Sequence, residues 1–207
     1  MDPQHTSVTG KPIKNVLVVI AMEAEASPLI EHLSLKEDDT FFPPQVPFKC
    51  FSGTYNECNV NVVTNGKDEV HGTGVDNCGT VPASLVTFLS LQKLEGKVDL
   101  LINAGTCGGF KSKGAEIGDV FLTTASANHD RRIPIPSFDK YGIGEINTVE
   151  AKVLANEIQA KMGVCTTGNS LDYHDVDEKH MKENDASVKD MECKYYFGYK
   201  TYAFFNY

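Results

Sequence analysis

Tryptophan is absent from the chain, and aromatic residues are sparse until the last stretch. Positive charge is also scarce: 19 Lys and Arg stand against 28 Asp and Glu, for a formal net charge of −9. Such a surface repels phosphate, which argues against nucleic acid as a partner and equally against an anionic membrane. No long hydrophobic run exists. The longest, Val16 to Met22, falls far short of the ~20 residues that a membrane-crossing helix needs. Residues 1–14 are polar and lack the apolar core of a secretory signal. The expected compartment is therefore the cytosol.

Cysteine is present at positions 50, 58, 78, 107, 165 and 193, but never as CxxC and never clustered with histidine at zinc spacing. The six therefore read as free thiols of a reducing compartment, and no metal is expected.

What is there suits one folded domain: 207 residues, 41% hydrophobic and 23% charged. Residues 1–13 read as a loose tail. Val16 to Met22 is rich in β-branched residues and reads as a strand buried on both faces. A helix is expected over Glu23 to Leu35, with Pro28 tolerable only near its first turn. Phe48 to Tyr55 and Asn59 to Thr64 read as two strands about a turn at Asn56-Glu57.

Past the Gly-rich stretch from Gly66 to Gly79, Thr80 is the expected N-cap of a helix with Pro82 in its first turn. Val81, Leu85, Phe88 and Leu89 recur at helical spacing and mark its apolar face. Val98 to Asn103 and Asp119 to Ala125 are further strands. Asn147 with Glu150 has the pattern of a capping box, predicting a helix to about Met162 that Gly163 stops. Val164 to Gly168 and Val188 to Glu192 are strand-like, and Asp172 to Asp185 should hold a short acidic helix. Strands alternating with helices predict an α/β layered fold with a parallel or mixed central sheet.

Residues 193–207 break this pattern: eight of the fifteen are Tyr or Phe, against eleven in the preceding 192. They read either as an aromatic edge strand or as a foreign tail.

Ligands of such sheets gather beyond the carboxyl ends of the strands. Glu23 and Glu25 follow the first strand at once. They can simply favour a helix N-terminus through its dipole, or place a carboxylate to polarise a water. Gly105-Thr106-Cys107-Gly108-Gly109 is either a tight turn or a loop whose amides approach a ligand closely. It is neither GxGxxG nor a P-loop. Asp190-Met191-Glu192 is either a solvent-facing acidic strand or a sugar site, with Glu192 accepting from a diol and Met191 packing on its ring. His129 reads as structural. His71 and Cys78 lack a third partner for nucleophilic catalysis.

Taken together, AMEAEA (21–26), GTVPASLVTF (79–88), INAGTCGGFKSKGAEIGDVFL (102–122), HDRRIPIPSFDKYGIG (129–144), TGNSLD (167–172) and NDASVKDME (184–192) closely resemble the plant 5′-methylthioadenosine nucleosidases, within the nucleoside phosphorylase superfamily. The resemblance implies a three-layer α/β/α sandwich with a central mixed sheet over residues 14–192, a homodimer, a small nucleoside substrate, and no metal or organic cofactor. It implies hydrolysis of an N-ribosidic bond to adenine and methylthioribose. Glu25 matches the carboxylate that activates water. Met191 and Glu192 match the residues that hold the ribose. Thr106, Cys107 and Gly108 match the loop lining ribose and base, and Leu171 and Asp172 the adenine-binding segment. Lys189 and Asp190 fall in the same ribose-binding motif.

The family's general acid is an aspartate on a later strand, some two dozen residues beyond the position of Glu192, and Asn169 replaces a common aspartate. Residues 193–207 do not match. The expectation is a fold lacking its last αβ unit and an impaired enzyme. The alternative is an inactive isoform that binds nucleoside or modulates the full-length enzyme by dimerisation, or a storage-type relative. A phosphorylase would need a cationic phosphate site, and the carboxylates after the first strand speak against one.

Overall fold

The computed structural model describes residues 12–193 and the backbone of 201–206. In chain order its elements are β1 (Asn15–Ile20), α1 (Glu23–His32), β2 (Lys36–Glu37), β3 (Lys49–Tyr55), β4 (Cys58–Thr64), α2 (Thr80–Lys93), β5 (Leu100–Thr106), β6 (Gly108–Gly109), β7 (Val120–Asn128), α3 (Asp139–Ile143), β8 (Ile146–Asn147), α4 (Lys152–Ile158), β9 (Lys161–Thr167), α5 (Asp175–Glu183), β10 (Ala186–Asp190) and β11 (Thr201–Asn206). They build one mixed sheet in the order β2-β3-β4-β1-β5-β11-β7-β9-β10-β6, with β8 alongside β7.

The apolar run of β1 is doubly buried because it lies between two parallel partners, β4 and β5. Leu17 and Val19 face one side, packed with Val86 and Leu91 of α2. Val18 and Ile20 face the other, packed with Ala26 of α1. Helices thus cover both faces, the three-layer sandwich expected. The β3–β4 hairpin turns at Asn56 and Glu57, both with positive φ (45° and 64°), the backbone that a two-residue hairpin requires.

Several local expectations are corrected. Pro28 lies inside α1 beyond its first turn. Thr80 is the first residue of α2 rather than its cap. Asn169, far along the chain, supplies the cap: its side-chain oxygen accepts from the Thr80 N–H and hydroxyl, both at 2.9 Å. The face of α2 formed by Val81, Leu85 and Phe88 is exposed, and the buried face carries Ala83, Val86, Thr87 and Ser90 instead. The capping box at Asn147 does not form, because Asn147 pairs with β7. The following helix, α4, ends at Ile158 with Gln159 in the left-handed region.

Gly163 is no helix stop but lies within β9, where a Cβ would come 2.2 Å from Ser187 Oγ on β10. The aromatic segment also differs from an edge strand. Residues 201–206 run through the interior of the sheet, parallel to β5 and antiparallel to β7. Of the expected tails, residues 1–11 and 194–200 lie outside the described residues.

Candidate active site

The carboxyl ends of β1, β5 and β10 converge on a cavity of about 590 Å³. Ala21 and Met22 line it from β1, Thr106 to Phe110 from the turn after β5, and Lys189 to Glu192 from β10, with Glu25, Cys78, Leu171 and Tyr173 completing the wall. The sequence expectation for Glu25, Thr106, Cys107, Gly108, Leu171, Lys189, Asp190, Met191 and Glu192 thus converges on one cavity. Asp172 does not line it.

Glu25 sits in the first turn of α1, at the helix N-terminus and on the cavity wall. Its Oε2 accepts from the Met22 N–H at 3.4 Å, at the helix N-terminus. Its Oε1 accepts from the Thr106 N–H at 2.7 Å and the Thr106 hydroxyl at 2.6 Å, across the gap to β5. Gly105 makes this approach possible, since a Cβ there would lie 3.2 Å from Oε2. Glu23 points elsewhere, paired with Lys67 at 3.1 Å, and takes no part in the cavity wall.

Glu192 faces the same space. Its Oε1 accepts from the Gly79 N–H at 2.8 Å. Burial pushes its carboxyl above the usual range; the Gly79 bond opposes that rise and the nearby Glu25 charge adds to it. Asp190 is buried deeper. Its Oδ1 accepts from the Thr167 hydroxyl at 2.6 Å, and its Oδ2 from the Glu192 N–H at 3.2 Å. Desolvation raises it to about 7. The protein occupies both of its oxygens, so Asp190 shapes the turn carrying Met191 and Glu192.

Lys189 donates to the carbonyls of Ser170 at 2.7 Å and Leu171 at 3.0 Å, tying down the loop at the mouth. Leu171 is 86% exposed there, an apolar side chain with a free face. No arginine lines the cavity, and its one lysine is engaged, while Glu25, Asp190 and Glu192 make the wall acidic. This arrangement suits a neutral polyol and repels a phosphate co-substrate.

His129 fulfils the structural reading. It is buried, with Nδ1 3.2 Å from the Thr166 hydroxyl. Gly168 makes room for it: a Cβ there would lie 2.3 Å from His129 Nε2.

Ala21, Met22 and Phe110 fall within the motifs at 21–26 and 102–122, and Cys78 was weighed only as a nucleophile. Tyr173 lies outside every such motif, and the loop between β9 and α5 brings it to the site.

A mixed sheet covered on both faces, with a carboxylate-lined cavity at the carboxyl ends of its strands, defines a class, and the comparisons give it its family. The chain belongs to the Phosphorylase superfamily, whose pattern matches residues 15–195. It is 47% identical over 186 residues to the 5′-methylthioadenosine/S-adenosylhomocysteine nucleosidase of Arabidopsis thaliana, covering 89% of this chain and 72% of that protein. It is 48% identical over 183 residues to a 5′-methylthioadenosine nucleosidase of the same plant, covering 88% and 67%. The solved apo structure of an A. thaliana 5′-methylthioadenosine nucleosidase superposes with a TM-score of 0.87 at 42% identity, over 95% of this chain and 82% of that one.

Proposed function

We propose that the chain hydrolyses the N-ribosidic bond of 5′-methylthioadenosine, giving adenine and methylthioribose. The observation that carries this is the pair of glutamates facing one cavity, Glu25 anchored on Thr106 and Glu192 anchored on Gly79. Cleavage passes through an oxocarbenium-like ribosyl cation, so a water must be held against the anomeric carbon and lose a proton as it adds. Glu25 is that base: Thr106 fixes its Oε1, leaving Oε2 toward the water. Glu192 accepts from the ribose hydroxyls, and Met191 packs on the sugar face. Together they hold the ring for attack. Leu171, Phe110 and Tyr173 offer apolar and aromatic surface for the base.

Adenine leaves as its ring nitrogen gains a proton. Among the described residues, the carboxyl groups lining the cavity are Glu25, Asp190 and Glu192, and each already has a holding or positioning role. That observation favours slow turnover, and keeps in view a second reading, a nucleoside-binding isoform with little catalysis.

The test is adenine release from 5′-methylthioadenosine by the purified chain, with Glu25→Gln as control. Release that vanishes in the control supports hydrolysis. A folded chain that binds the nucleoside and releases no adenine supports the second reading.

We further propose that the chain pairs as a homodimer. The support is the apolar side of α2, where Val81 is 68%, Leu85 51% and Phe88 47% exposed, grouped on one side of the helix as a contact patch would be. Among the described residues no helix is long and apolar enough to cross a membrane, and all six cysteines are unpaired, which suits the cytosol.

A further inference from the structure

Two of the six cysteines meet beneath the cavity, in a place the hydrolytic reaction does not use. Cys165 stands on β9 and Cys193 follows β10, and both are fully buried. Asp190 lies between them, with the Cys165 thiol donating to its Oδ1 at 3.3 Å. The two sulfurs and one Asp190 carboxylate oxygen all lie within 4.8 Å of one another. A third thiol, Cys107, packs against this cluster from the turn after β5 and also lines the cavity.

The two thiols pack in the core with Ala115, Phe121 and Val188, but apolar packing does not account for the buried carboxylate between them. A buried carboxylate gains little from neutral thiols, which are weak donors. Thiolates and a carboxylate converging on a point are a different matter. Around a tetrahedral zinc-class ion, with metal–sulfur about 2.3 Å and metal–oxygen about 2.0–2.2 Å, ligand atoms sit roughly 3.5–3.8 Å apart, and here all three lie within 4.8 Å of one another. Sulfur-rich ligation selects such ions over magnesium or calcium. The cluster is set on the paired strands β9 and β10, so its two anchoring positions are held by backbone hydrogen bonds.

We infer that Cys165, Asp190 and Cys193 form a binding site for a thiophilic divalent cation of the zinc class, with the fourth position open to a water. On binding, each thiol gives its proton to solvent and the thiolate takes its place on the ion. Two thiolates and one carboxylate leave a single net negative charge around a dication. Because Met191 and Glu192 lie between two of the ligands, the ion would also fix that turn. The inference does not depend on the hydrolytic reading.

Cobalt(II) tests it, added to the full chain after reduction and removal of metal. The expected result is one cobalt per chain, with sulfur-to-cobalt charge-transfer bands in the near ultraviolet and the visible bands of a tetrahedral site, all abolished by zinc. Cys193→Ser and Cys165→Ser each lose or weaken the charge-transfer bands, while Cys58→Ser, whose thiol bonds the Ile13 carbonyl elsewhere, keeps them. A folded chain without these bands overturns the site. So do bands that survive unchanged in Cys193→Ser and Cys165→Ser, or a Cys165–Cys193 disulfide that forms without reductant and persists with excess zinc.

Discussion

At the scale of single residues, the site is organised by side chains that hold other side chains. Thr106 is the clearest case, since its N–H and hydroxyl both serve Glu25 Oε1. Glu25→Gln is expected to lower adenine release by about 10²–10⁴-fold, the usual contribution of a positioned general base, with little change in urea stability. Thr106→Val removes only the hydroxyl bond and keeps the backbone one. We expect a fall in kcat of about fivefold with KM nearly unchanged, as loss of about 1 kcal/mol of positioning implies. A rise in KM with unchanged kcat would show that Thr106 serves binding instead.

His129 makes a pH prediction at the same scale. Burial holds its pKa below the ordinary 6.5, with Asp130 opposing the shift. The native state therefore binds fewer protons than the unfolded chain in that range, and its stability is lost as pH falls below about 6.5 toward the depressed value. His129→Gln should flatten the urea midpoint over that window relative to the parent chain. An identical slope in both would mean that other groups dominate.

At the scale of elements, the strands were more legible than the helices. Val16 to Met22 announced a doubly buried strand because parallel neighbours on both sides demand apolar faces. Asn56-Glu57 announced a hairpin, since its flanks were strand-like. The apolar spacing on α2 misled because the helix buries hydroxyls and small residues. Thr87 and Ser90 return their hydroxyls to the carbonyls of Ala83 at 2.7 Å and Val86 at 2.6 Å, which satisfies them locally and lets them enter the core. Gly163 misled because its reason is a neighbour on another strand, Ser187, which no local pattern displays.

The glutamates and the Met191–Glu192 motif were legible through strand ends. The cap from Asn169 was not, since its partner Thr80 is 89 residues away in the chain, nor was the cavity wall from Tyr173, which the loop between β9 and α5 delivers. Two predictions follow at this scale. Asn169→Ala should cost about 1 kcal/mol by urea denaturation, the usual value of a helix cap. Gly163→Ala should cost about 1–3 kcal/mol through overpacking, and Ser187→Gly added to it should restore much of that loss. Additive losses in the double variant would show that the two positions do not share the space.

At the scale of the whole molecule, charge and surface point the same way. Three carboxylates line the cavity wall and disfavour phosphate there, while the exposed apolar residues Val81, Leu85 and Phe88 lie on α2, the helix whose N-terminal Gly79 N–H reaches Glu192. Leu85→Asp puts a charge in that apolar side without touching the core. By light scattering we expect the parent chain to elute as a dimer and the variant as a monomer. A monomeric parent chain would end the dimer proposal.

The interior strand β11 adds a consequence in time. Its neighbours β5 and β7 are made before it, since β11 is the last of the described strands in chain order. During synthesis the two halves of the sheet can form, each with an open inner edge, and wait. Open edges of that kind recruit other strands, and contacts between distant parts of the chain form slowly. The vulnerable moment falls before β11 emerges, when the strands on either side of it are made and the place between them is still open.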